Sequence, residues 1–422
     1  MKTATLESKF PLLAVENGCI ISKDADITVA YKVELPELFT LTSAEYEAMH
    51  STWAKAVKVL PNYSIVHKQD FFVEESYKPD ICKDGISFLS RSFERHFNER
   101  PYLQHTCYLF LTKTTKERSR TTSSFNALTR GFIIPKEMQD KETVSRFMEC
   151  CGQFERIVND SGLLRITRLT DGEITGTESS GIIEKYFSLS QEDTACLQDL
   201  SLGAGEMKVG DNYLCLHTLS DPEDLPSGVA TDCRYERLST DRSDCRLSFA
   251  APIGILLTCN HVVNQYLFID DSAENLRKFE QTARNMHSLS RYSRSNQINR
   301  EWIEEYLNEA HSKGLTSIRA HCNVMAWSDD REKLKRIKND VGSQLALMEA
   351  KPRHNTVDVP TLFWAAIPGN AGDFPSEESF YTFIEQALCL FVGETSYKDS
   401  LSPFGIRMVD RLTGKPVHLD IS

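Results

Sequence analysis

The feature that most restricts the fold is an alternation, sustained along the chain, of β-type runs with segments of helical period. β-branched and aromatic residues gather at 27–35, 63–75, 106–112, 262–269 and 317–327, as strands require. Between them lie apolar stripes at three- and four-residue spacing. One is Tyr46, Met49, Trp53, Val57 and Leu60; a second is Val144, Phe147, Cys151, Phe154 and Val158; a third is Leu334, Ile337, Val341, Leu345 and Met348. Each places its apolar residues on one helix face, which must be buried against another element. The expected class is α+β: helices packed on mixed or antiparallel sheets, with ferredoxin-like units in two subdomains.

Local signals fill in this pattern. Residues 19–22 and 27–35 read as a hairpin around Lys23, Asp24, Ala25 and Asp26, and Thr42 with Glu45 makes a capping box for the first helix. Further helices are expected at 86–97, 142–158, 273–288 and 297–312, the last two broken at 290–295, and a strand at 163–168. Ser328, Asp329 or Asp330 can cap the helix that follows residue 327. Residues 247–258 read as a strand. A final helix from Ser376 packs through Phe380, Phe383, Ile384, Ala387 and Phe391 and ends at Gly393.

Composition suggests the boundaries. Residues 1–200 form a first α/β subdomain; 201–245, rich in Gly, Asp, Pro and Ser but broken by an apolar run at 213–219, form a connection; 246–400 form the second. Residues 401–422 read as a hairpin. Ile406 and Met408 alternate with polar neighbours, residues 412–416 supply the turn, and Val417, Leu419 and Ile421 restore the period of two. A strand that stops on its last apolar residue leads us to expect a fragment or domain boundary at Ser422, with the hairpin leading into an absent domain.

At 422 residues the chain exceeds one ordinary core, and 41% apolar with 26% charged residues mark a folded protein. A net charge of −12 opposes a general nucleic-acid footprint, which needs clustered cations in excess. The opening residues lack the apolar core of a secretory signal. The longest apolar stretch, 249–259, is interrupted by Pro252 and Gly254 and falls short of the roughly 20 residues that span a bilayer. Twelve cysteines without a CxxC pair fit a reducing compartment. Together these features imply a cytoplasmic protein.

Candidate chemistry is sparse. Gly414-Lys415 is the one Gly-Lys pair, but Val409 and Pro416 occupy the positions where a phosphate loop needs Gly and Ser or Thr, so it reads as a hairpin turn. The glycines at 203, 205 and 210 are spaced wrongly for a dinucleotide loop and read as a flexible loop. Cys259 and His261 with His321 and Cys322 are the nearest approach to a zinc set, weakened because adjacent strand residues face opposite ways. Cys151 lies on a core stripe beside Cys150, and Asp221, Glu223 and Asp224 read as solvated. No catalytic, cofactor or metal residues are assigned. Two basic stretches, 113–120 (KTTKERSR, running into 121–124) and 284–300 with Arg291, Arg294, Arg300, Tyr292 and Trp302, could meet nucleic acid or acidic lipid. Glu117, Glu301, Glu304 and Glu305 dilute them, so a solvated loop and a solvated helical arm are expected.

The segment Phe363-Trp364-Ala365-Ala366-Ile367-Pro368-Gly369-Asn370 places a tight turn after an apolar run read as a strand. The order Pro368-Gly369-Asn370 turn, aromatic helix, hairpin FGIRMVDRLTGKPVHLDIS resembles the region upstream of the nucleotide loop in the largest cytoplasmic ATPases of type IV secretion systems. The chain resembles the TraG ATPases of conjugative transposons, from ATLESKFPLLAVENGCIISKDADITVAYKVELPELFTL onward and most strongly over 363–422. This resemblance implies a non-catalytic docking and assembly module. Its partners would be inner-membrane and channel components of the conjugation apparatus, with self-association. ATP and Mg²⁺ would belong to an ATPase half, and membrane contact would come only through partners. Pro368, Gly369 and Asn370 are a family signature turn; no phosphate loop, acidic Mg²⁺ strand or arginine finger can be placed on this sequence. Two other readings remain: a stand-alone enzyme with an unrecognised Cys, His and carboxylate site, and a DNA-binding accessory module.

Overall fold

The amino-terminal strands build the first unit. β1 (Leu12–Glu16) and β2 (Cys19–Ser22) form a hairpin, and β2 pairs with β3 (Ile27–Glu34). Helix α1 (Ser43–Lys58) begins at the expected capping box and buries Tyr46, Met49, Trp53 and Val57. It leads to β4 (Ser64–Ser76), then α2 (Phe88–Asn98) and β5 (Pro101–Lys113). The long amphipathic α3 (Lys141–Asp160) buries Phe147, Cys151, Phe154 and Val158 and delivers β6 (Arg165–Arg168) to the edge of β3. The computed structural model describes residues 5–77, 88–98, 100–116, 118, 138, 140–177, 179–203, 206–289, 294–400 and 405–420. The spatial order β6-β3-β5-β4, with helices after the first and third strands, is ferredoxin-like.

The same arrangement recurs. After α4 (Ile182–Ser188), β7 (Leu200–Gly203), β8 (Glu206–Val209) and β9 (Asn212–Leu219) run back and forth at the far edge. A small pair, β10 (Asp232–Arg234) and β11 (Arg246–Ser248), precedes β12 (His261–Ile269). Helices α5 (Ser272–Leu289) and α6 (Arg294–Lys313) separate β12 from β13 (Ser317–Ser328); α7 (Arg331–Leu347), capped by Asp330, leads to β14 (Arg353–Asn355). The order β14-β9-β13-β12 repeats the first unit strand for strand. Residues 220–260 stand where the first unit has α1. β9, drawn from within 201–245, is therefore an inner strand of this unit.

The units meet through their second strands. β4 and β12 pair antiparallel from Ser64↔Ile269 to Phe72↔His261, so thirteen described strands form one sheet with a pseudo-twofold relation across this junction. One face is covered by α1, α3, α7 and α9 (Ile384–Leu388); the other by α4 and α8 (Val359–Ala365). Helices on both faces explain why β12 and β13 are buried along their whole lengths.

Several local expectations are corrected. The run before Pro368 is helix α8 rather than a strand, because Pro360 suits the first turn of a helix and Phe363 packs on Tyr186 and Phe187. Residues 376–391 are not one helix: β15 (Phe380–Phe383) pairs with residues 317–320 of β13 before α9 begins. The stretch 247–258 holds only the end of β11 and a 3-10 turn at Ala251–Ile253, since Pro252 cannot continue a central ladder. The glycine-rich 203–210 segment joins hairpins β7-β8 and β8-β9, with residues 204–205 outside the description.

Candidate functional site

Ile367, Pro368, Gly369 and Asn370 form a turn in which Asn370 N donates to Ile367 O at 2.9 Å. Gly369 has φ +89°, the value that the third residue of a type II turn demands. Added there, a Cβ would lie 2.5 Å from Ile20 Cγ2, so the turn is pressed onto β2. Asn370 Nδ2 donates to Trp364 O at 2.9 Å, closing the end of α8. All three signature residues are buried. Their position makes them framework.

A polar seam runs beneath this turn along β4, whose residues 67–70 are consecutive polar side chains, all buried. Toward α8, Gln69 Nε2 donates to Ala366 O and to Asn264 Oδ1 at 3.1 and 2.8 Å, and His67 Nε2 donates to the same Asn264 oxygen at 3.1 Å. Asn264 donates on to Asn323, Asn323 to His321 Nε2, and His321 Nδ1 to Glu378 O at 2.6 Å. Each imidazole is neutral here: burial lowers His67 and His321 to about 3. Such a network fixes strand register, because a slip would strand several buried donors.

On the opposite face Lys68 Nζ donates to Asp70 at 2.7 and 2.5 Å and to Val392 O at 2.9 Å, while His105 Nε2 lies 3.1 Å from Asp70. Burial opposes both charges, but their attraction wins. Lys68 holds its proton more tightly than usual, and Asp70 stays below the usual carboxylate range. Glu394 accepts from Ser248 N, Ser248 Oγ and Tyr46 OH at 3.1, 3.0 and 3.3 Å, yet burial pushes it up to about 7. These groups lie sealed from solvent and serve to seat residues 392–395 on the sheet.

The basic stretch 113–120 departs from its expected solvated state. Lys113 is buried, Lys116 pairs with Glu274 at 2.7 Å, and Arg118 reaches Asp24, Asp26 and Asp373 at 2.6, 2.7 and 3.1 Å. Arg118 thus ties the β2-β3 turn and residues 371–373 to the end of β5. A Cβ on Gly372 would fall 2.1 Å from Asp26 Oδ2, so only glycine admits this closure. Burial, more than the guanidinium can offset, pushes Asp26 up to about 6. Glu117, Ser119, Arg120 and residues 121–124 lie outside the described residues, as do Arg291 and Tyr292. Arg300 pairs with Glu304 at 2.7 Å, and Trp302 is exposed on α6.

The zinc candidates are not brought together. His261 stacks on Phe72 on one face, whereas His321 packs against Tyr266 and Phe374 on the other. Among the described residues no group of three or more His, Cys, Asp or Glu is arranged to hold a metal ion. Cys151 is core, as its stripe indicates. Asp221 caps a 3-10 turn at Pro222–Asp224.

An open apolar surface lies beside the carboxyl-terminal hairpin. β16 (Ile406–Val409) and β17 (Pro416–Leu419) form the expected hairpin, and the Gly414-Lys415 pair sits in a turn closed by Asp410, which accepts from Leu412 N and Thr413 Oγ1 at 3.0 and 2.5 Å. The body holds the hairpin through Leu103 N to Thr413 O at 3.1 Å, Ser400 N to His418 O at 2.8 Å, and Arg407 on Glu94 and Tyr77. Val417 is buried, but Ile406, Met408, Val409 and Leu419 are 45, 50, 50 and 37% exposed. Met408, Val409 and Leu419 border a groove of about 670 Å³ whose other wall is Phe39, Tyr235, Leu238 and Tyr397. Arg237 and Arg411 also line it; both are exposed, and neither has an ion-pair partner among the described residues. The alternation of residues 406–419 signalled the hairpin wall; the opposite wall, from three other segments, left no local signal.

Comparison with known families gives one match, over residues 1–51, to a family described as "Domain of unknown function, B. Theta Gene description (DUF3875)". No curated protein matches the chain. Among the described residues no helix is long and apolar enough to cross a membrane.

Proposed function

We propose that the chain is the N-terminal docking and assembly module of a conjugative-transfer ATPase of the TraG type, non-catalytic by itself. The carrying observation is the arrangement at its carboxyl end: the Pro368-Gly369-Asn370 turn is built into the framework, and the hairpin after it is anchored by its turn while its apolar residues face outward. Apolar surface of this kind is the mark of an interaction site. The match over residues 1–51 covers the opening segment on which the resemblance also rests. In this reading the module is cytoplasmic and reaches the inner membrane through channel components. ATP and Mg²⁺ are handled by a separate ATPase half, which also assembles the complex.

The test is genetic. In-frame deletion of the gene in a mating donor should reduce transfer of its conjugative element to background, with recovery on complementation. Unchanged transfer frequency would refute the reading.

A further inference from the structure

The groove beside the carboxyl-terminal hairpin has two properties that together define what fits it. Its walls are apolar: Met408, Val417 and Leu419 on one side, Phe39, Tyr235 and Leu238 on the other, with the Phe39 and Tyr235 rings 5.8 Å apart. Arg237 and Arg411 line it without ion-pair partners among the described residues, although the chain carries a net charge of −12. The Asp410 carboxylate, the acid that lines the groove, is turned inward to Leu412 N and Thr413 Oγ1 and leaves the arginines uncompensated. Exposed Val409 and Leu419 extend the apolar lining along β16 and β17. That extent favours a polypeptide over a compact small molecule.

We propose that this groove docks an apolar protein segment bearing Asp or Glu at its flanks, its apolar residues set between β16-β17 and the 235–238 loop and its carboxylates on Arg237 and Arg411. The inference deepens the docking reading and rests on it only in taking the chain as a docking part. Apolar contact would supply affinity, and the two guanidiniums would set orientation and reject basic partners. Bidentate pairing with carboxylates is what a guanidinium does best.

The probe is a phage-displayed library of random peptides selected on the full 422-residue chain. Enriched peptides should combine apolar residues with Asp or Glu. Their affinity should fall about tenfold or more on Met408→Asp, as hot-spot loss does, and fall on Arg411→Glu, with an unchanged melting midpoint for both variants. Four results would overturn the proposal. These are basic or uncharged consensus sequences, binding insensitive to both variants, a dimer of the chain in sedimentation that Met408→Asp dissociates, and binding to phosphatidylglycerol vesicles that Arg411→Glu abolishes. Because none of these involves ATP or mating, failure here leaves the conjugation reading to its own test.

Discussion

Replacing Gly369 by alanine tests whether the signature turn is framework, and two costs can be worked out in advance. An L-residue at φ +89° carries about 1–2 kcal/mol of left-handed backbone strain. The new methyl would also lie 2.5 Å from Ile20 Cγ2, on a side chain with no exposed surface, and such overpacking adds about 1–3 kcal/mol. Urea unfolding of Gly369→Ala should therefore show a loss of about 3 kcal/mol at unchanged m-value. The steric part can be isolated by repeating the substitution in an Ile20→Ala background, where the clashing methyl is gone. There the loss should shrink by about 1 kcal/mol or more, a coupling that only touching residues produce. A loss below about 0.5 kcal/mol, or strict additivity of the two substitutions, would refute the assignment of this turn to the framework.

Two further perturbations follow from the buried charges. Glu394 binds its proton more tightly folded, at about 7, than in its ordinary state at 4.5. Stability must therefore fall as pH rises through that window, and Glu394→Gln should gain about 2 kcal/mol relative to the native chain between pH 5 and pH 8; parallel pH profiles in urea unfolding would contradict this. Arg118→Ala leaves Asp24, Asp26 and Asp373 facing one another and should cost about 3–5 kcal/mol. The cost should be smaller at pH 5, where Asp26, raised to about 6, takes up a proton, and a pH-independent loss would refute the ion cluster.

What could be read in the sequence was whatever burial writes at short range. The stripes of α1, α3 and α7 are amphipathic because one face meets the sheet, and the capping box at Thr42 is complete within four residues. Residues 380–391 misled because Phe380, Phe383, Ile384 and Ala387 follow the helical spacing of three and four. The flank of β13 at 317–320 decides for a strand, from some sixty residues away. Residues 67–70 do not look like core, since four polar residues in succession read as surface. They are buried because their partners arrive from positions 105, 264, 366 and 392. Arg118 is the same case: a solvated loop by composition, a buried tie by virtue of acids at 24, 26 and 373. Ferredoxin-like units in two subdomains were legible, but not their strand-for-strand correspondence, because the second copy lacks a counterpart of α1 and carries the α5-α6 pair between its middle strands.

The central claim, the proposal that this chain is a docking module which does not itself hold the nucleotide, is tested most directly by calorimetric titration of Mg-ATP into the 422-residue chain. The account predicts no binding heat. Micromolar binding of Mg-ATP by these 422 residues would contradict it.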